Sequence, residues 1–258
     1  GSGWFFDREA QSLWLGCSHF VHPGSFSFRV RQHAAFTILQ LEEAERMADF
    51  LAARLGGRVA DRTHPMQRSR TVPDEMLGVV EQVYQPAGRT PSAFARAEEF
   101  EALAREVPPS LAATLGGSAA GITFEVPFGE GSTALVQLMT DAEHPELGAG
   151  LAVGTLFDVG KTVPELAIMA QRLQQLQAST TKAGGGYGAW GVKEMDERTF
   201  LGFFRFVPNL SYGAGVISDV AYGEFNRAAW LDALLHPGLP RRHATAQMDR
   251  RWEGSTKA

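Results

Sequence analysis

The chain has 258 residues, 44% hydrophobic and 21% charged, a balance that supports a full apolar core and excludes intrinsic disorder. Its net charge of −5 is uneven: residues 237–258 carry five Lys/Arg against two Asp/Glu, whereas residues 1–236 carry 19 against 27. An acidic body argues against nucleic-acid binding, which needs many neutralising cations.

The single cysteine, Cys17, excludes an intramolecular disulfide and any Cys-rich zinc site, and the cytosol fits best. Residues 10–28 and 107–124 contain no Asp, Glu, Lys or Arg. Each is broken by Pro and Gly, at Pro23-Gly24 and at Pro108-Pro109 with Gly116-Gly117, so neither reads as a membrane-spanning helix. Gly1-Ser2-Gly3 reads as a cloning remnant, and the segment after it lacks the positively charged start of a signal peptide. Four Lys, four Ile and two Asn stand against twenty Arg, the bias of GC-rich codons, which points to a bacterial genome of that kind.

In chain order, residues 12–20 predict a strand. Phe26, Phe28 and Val30 alternate with polar residues as a second, and residues 34–40 suggest a third. An amphipathic helix follows over 41–55, with Ala44, Met47, Ala48, Leu51 and Leu55 on one face and Gly56-Gly57 ending it. Residues 58–73 are polar and Arg-rich. A short helix starts at Asp74, where Met76, Val79, Val80 and Val83 keep helical spacing. A helix over 93–107 presents Phe94, Ala97, Phe100, Leu103, Ala104 and Val107, and Pro108-Pro109 stops it.

The second half carries stronger signals. Ile122, Phe124, Val126 and Phe128 alternate with Thr123, Glu125 and Pro127. Gly129-Glu130-Gly131 then turns the chain into ALVQLMTD, so a hairpin is predicted. A third strand over Leu151–Phe157 precedes a helix that Thr162 and Glu165 begin as a capping box, with Pro164 in its first turn. Leu166, Ala167, Ala170, Leu173 and Leu176 form its expected apolar face. After the glycine-rich turn at 184–188, a second hairpin spans 189–207 around Asp196-Glu197. A last helix over 216–235 buries Ile217, Val220, Ala221, Ala228, Leu231 and Leu235.

The class this order predicts is α+β: mainly antiparallel sheets with amphipathic helices packed on one face. The segments divide as 4–90, a connecting helical segment 91–118, a second α+β half 119–236 and a basic, flexible tail 237–258. One continuous domain with 93–107 as a core helix is equally consistent. Each half reads β-β-β-α-β-β-α, which raises a structural duplication as a hypothesis, although no fixed-period match supports it.

Gly160-Lys161-Thr162 lies between strand and helix, where nucleotide-binding phosphate loops end in Gly-Lys-Ser/Thr, but the glycine required five residues earlier is Thr155. The spacing fails. What remains is a helix start whose amides, with Lys161, could hold an anion such as a pyrophosphate. Asp141, Glu143, His144 and Glu146 share one loop, which permits acid/base work or ligation. Cys17, His19 and His22 are ligand-capable but lack a fourth partner. Arg58, Arg62, Arg68 and Arg70, with His64, suit an acidic or phosphorylated ligand, or simply a solvated, ion-paired loop. No metal or cofactor is expected.

The aromatic hairpin is the most distinctive feature. Phe200, Phe204 and Phe206 fall on one strand face and Phe203 on the other, so both faces are apolar. One face meets helices, and the other needs a cover, either the 107–121 segment or a second chain. The leading expectation is a non-enzymatic interaction or accessory protein that binds a protein partner, or itself, through the 189–207 hairpin. The alternative is an enzyme that binds an anionic small molecule around 141–162, with Asp141, Glu143, His144 and Lys161 as candidate catalytic groups and Gly160, Lys161 and Thr162 as candidate binding groups.

Overall fold

Ile122, Phe124, Val126 and Phe128 turn to one side of a strand, and Ala134, Val136 and Leu138 repeat the period on the next. Strands β4 (Gly121–Phe128) and β5 (Ser132–Met139) pair in register from Gly121↔Met139 to Phe128↔Ser132, the hairpin predicted from the alternation. Pro127 is tolerated because the strand on its other side reaches only Glu125, so no ladder hydrogen bond needs its missing N–H.

The computed structural model describes the backbone of residues 3–7 and 12–16, and residues 37, 44, 47–58, 88, 90–116, 121–145, 147–178 and 188–238. Strands β1 (Gly3–Asp7) and β2 (Ser12–Gly16) form a separate antiparallel pair. Thr37, read as strand from the sequence, is helical, as are residues 47–55. A short apolar run such as AAFTILQ does not distinguish strand from helix by its period. The 47–55 helix closes as expected: Gly56 takes φ 69° and the Gly57 N–H donates to Ala52 O at 2.9 Å. Leu55, expected on its apolar face, is instead 63% exposed in the last turn. The expected strand at 26–31, the Asp74 helix, the turn at 184–187 and the tail beyond 238 lie outside the described residues.

Among the described residues the main sheet has six strands in the order β3-β4-β5-β6-β8-β7, all antiparallel, with β3 Ala112–Leu115, β6 Gly150–Phe157, β7 Ala189–Met195 and β8 Arg198–Pro208. The β7–β8 turn puts Asp196 and Glu197 at φ 49° and 62°, the two-residue turn whose twist matches a hairpin. Helices α1 (Ala97–Glu106), α2 (Val163–Ala178) and α3 (Val216–Leu235) complete the unit, so the fold is α+β. Among the described residues, no helix is long and apolar enough to cross a membrane.

One core joins these parts. Phe94, Phe100, Leu103 and Val107 from α1 and its flanks pack with Phe124, Val136, Phe157, Phe203 and Phe225. Phe124 meets Phe225 of α3 edge-to-face at 5.0 Å. Ile217, Val220, Ala221, Ala228 and Leu231 are buried as expected.

Helix α2 corrects one detail. Leu166, Ala170 and Leu173 are buried, but Ala167 is exposed, Leu176 is 40% exposed, and Gln177 takes the buried position. The cause is Trp190 on β7. Its indole N–H donates to Gln177 Oε1 at 2.7 Å and its backbone N–H to Gln174 Oε1 at 3.0 Å, so the polar side chains turn inward to satisfy it.

Candidate functional site

The described residues among the candidate catalytic and binding groups lie at the two ends of β6. Asp141, Glu143 and His144 precede β6, and Gly160, Lys161 and Thr162 follow it. Eight strand residues, about 23 Å of rise, separate the two sets. At the first end, His144 and Gly148 exchange backbone hydrogen bonds at 2.8 and 2.9 Å, Leu147 N–H donates to His144 Nδ1 at 3.3 Å, and the ring packs on Phe206 at 5.3 Å. Glu143 Oε2 accepts from Gly88 N–H at 3.0 Å. Ser92 and Asn209 stitch the same chain segment down nearby, Ser92 Oγ to Gly150 O at 2.6 Å and Asn209 Oδ1 to Ala93 N–H at 2.8 Å. This loop fastens the chain that enters α1. Glu146 lies outside the described residues.

At the other end, Gly160 takes φ 62° and its N–H donates to Asp158 Oδ1 at 3.2 Å, while Asp158 also pairs with Arg198. Glu165 Oε2 accepts from Thr162 N–H at 3.0 Å and from its hydroxyl at 2.7 Å, and Lys161 Nζ stands 3.9 Å from Glu165 Oε1. The Thr162 hydrogen bonds, with help from Lys161, lower the Glu165 pKa. The carboxylate at this helix start therefore belongs to the protein, where the sequence suggested a bound anion. Cys17, His19, His22, Arg62, His64, Arg68 and Arg70 lie outside the described residues, and Arg58 is exposed. Among the described residues no group of three or more His, Cys, Asp or Glu side chains gathers as metal ligands.

Two arrangements emerge that the motifs did not announce. The first is a buried ionic cluster between sheet and α3. Glu224 Oε2 accepts from Arg227 Nε at 2.9 Å and Thr155 Oγ1 at 2.8 Å, and Arg205 Nη2 stands 2.9 Å from Glu224 Oε1. Arg205 also donates to Val220 O at 3.1 Å, and the Arg227 guanidinium lies 3.4 Å from the Phe203 ring centroid. Burial alone would raise the Glu224 pKa, but Arg227 and Arg205 together outweigh it and hold the carboxyl below its ordinary value. Burial pulls Arg227 down, and Glu224 opposes that. The available signal was the spacing of Glu224 and Arg227, three apart inside an otherwise apolar helix, opposite one arginine in FFRFV.

The second is the sheet face opposite the one on which α1, α2 and α3 pack. Phe200, Phe204 and Phe206 lie there, opposite to Phe203, as the alternation predicts. The Phe204 ring rests on Gly202, where a Cβ would collide with it. A Cβ on Gly154 would lie 3.6 Å from the ring and one on Gly191 3.9 Å away. Phe206 covers Gly150 in the same manner. Both rings remain half-buried, beside half-buried Leu135 and Ala152 and exposed Met139. The 107–121 segment, one expected cover, instead supplies β3 at the sheet edge. No family model matches the chain, and neither a curated protein nor a solved structure does.

Proposed function

We propose that this protein is a non-enzymatic interaction module of the bacterial cytoplasm that docks a protein partner on the sheet face opposite α1, α2 and α3. The observation that carries the reading is the pair of half-buried rings, Phe204 and Phe206, laid over glycines on three adjoining strands. Glycine floors let the aromatic rings lie flat, which gives this face an apolar centre, with Glu125, Gln137 and Lys193 on the same face around it as a polar rim. The separation of the acidic loop from Lys161 by the length of β6 favours this reading over the enzyme alternative. The composition bias and single cysteine support the bacterial and cytoplasmic parts.

The test uses the opposed faces of β8. Phe203→Asp removes a buried ring packed between Trp190 and the Arg227 guanidinium and should unfold the chain through the lost packing, whereas Phe204→Asp should keep the fold. A photo-crosslinking residue at 206 in cells of the source organism should trap a defined partner, and Phe204→Asp in the same chain should abolish the adduct. Unfolding of both Asp variants would place both faces inside the chain and end the proposal. So would a crosslink insensitive to Phe204→Asp, or no crosslink.

A further inference from the structure

Among the described residues, β3 and β7 are the two edges of the main sheet, and they are finished differently. On β7, the Trp190 N–H is taken by Gln174 of α2, and Lys193 and Glu194 put charges on the strand. A covering helix and edge charges are how sheets prevent further pairing. On β3, Ala112, Ala113, Thr114 and Leu115 are all exposed and none is charged, and Leu115 is 44% exposed.

The direction of the backbone groups follows from the register. Gly116 N–H donates to Gly121 O at 2.9 Å, and β3 pairs with β4 from Leu115↔Ile122 to Ala112↔Glu125. Hydrogen-bonded pairs alternate along an antiparallel ladder, so Ala112 and Thr114 bond to β4. The N–H and C=O groups of Ala113 and Leu115 then point away from the sheet. An uncharged strand with outward polar groups is a template for another strand.

We infer that β3 is a self-pairing edge: a second copy of this chain adds its own β3 antiparallel about a two-fold axis at Thr114, joining two sheets into one. In this register Ala113 exchanges both its hydrogen bonds with the partner's Leu115, and Leu115 with the partner's Ala113, four main-chain bonds in all. Thr114 stands opposite the partner's Thr114, a favourable cross-strand pair. No charges meet along the four residues, and each exposed Leu115 gains an apolar neighbour on its own face. Such an edge complements itself, which favours a second copy over a partner of unrelated sequence. The inference is independent of the sheet face that carries Phe204 and Phe206.

Sedimentation of the full chain over a concentration series tests it. The parent should pass from monomer to dimer. Ala113→Pro removes an N–H that points outward, so it should keep the chain monomeric and, at concentrations where the parent is also a monomer, leave the melting temperature unchanged. Thr114→Lys should weaken the dimer about tenfold by placing like charges opposite each other, and so should Thr114→Glu. An equimolar mixture of the two should restore it. If Ala113→Pro fails to fold, the charged pair carries the test. A parent that stays monomeric, a dimer that survives Ala113→Pro, or a mixture that stays apart would each overturn the inference. Phe204→Asp should leave this dimer intact, which separates it from docking on the open face.

Discussion

Glu224 Oε1 lies 2.9 Å from Arg205 Nη2 in the core, at ion-pair distance but without the alignment of a hydrogen bond, and Arg205 Nε has no hydrogen-bond partner. A buried carboxylate between two guanidinium groups adds little over a well-packed apolar cluster, but removing it strands the charges around it. Glu224→Ala should therefore cost about 3–5 kcal/mol, read from urea midpoints at constant slope. Replacing Arg205, Glu224 and Arg227 together by Met, Leu and Met should cost less than that single change.

The same carboxyl sets an acid limit. Its folded pKa is depressed, so its contribution is present above the ordinary value of 4.5 and is lost as pH falls through the lower folded value. Parent stability should decline in acid more steeply than that of the triple apolar variant. Parallel declines would show that Glu224 does not report on acid unfolding.

Helix α2 offers a paired test of which side faces the core. Leu173→Ala should cost about 2–5 kcal/mol, and Leu176→Ala, on the exposed side, about 0.5 kcal/mol or less. Equal losses in thermal melts would mean that the helix is rotated from the position set by Gln174 and Gln177.

The β7–β8 turn is open to improvement. Glu197 sits at φ 62°, a conformation that costs an L-residue with a long side chain about 1 kcal/mol and glycine almost nothing. Glu197→Gly makes an Asp-Gly turn and should raise the melting temperature. An unchanged or lower value would show that the hairpin gains nothing from relief at this position.

What the sequence revealed depended on periodicity. Ile122 to Phe128 announced β4 because one face is apolar and the other is not, and Thr162 with Glu165 announced the start of α2 through a local hydrogen bond. Where contacts come from distant segments, the pattern failed. Gln177 is buried only because Trp190 arrives from another strand, and Ala112–Leu115 is too short and too mild to read as a strand before β4 pairs with it. The ionic cluster unites residues 155, 205, 224 and 227, and a charged side chain on a helix reads as solvent-facing until its partner is known. The acidic loop and Gly160-Lys161-Thr162 looked like one site because they are near in sequence, but β6 carries them apart.

Tyr212 donates its hydroxyl to Glu99 Oε1, tying the chain after β8 to α1. This hydrogen bond, with burial and the nearby carboxylate charge, raises the tyrosine pKa above its ordinary 10.0. A raised pKa means that the contribution is full below about pH 10 and disappears as pH climbs through the folded value. Tyr212→Phe should lower stability by about 1 kcal/mol at neutral pH and flatten the alkaline decline. An alkaline decline as steep as the parent's would assign it to other groups.

The glycine beneath Phe204 also constrains how this chain can diverge. Gly202→Ala collides with the ring, and a smaller residue at 204 would uncover three glycines at once. Each single step is harmful, whereas Gly202→Ala made together with Phe204→Leu keeps the volume above the sheet nearly constant. Positions 202 and 204 should therefore be inherited as a unit: relatives with a side chain at 202 will have lost the phenylalanine at 204.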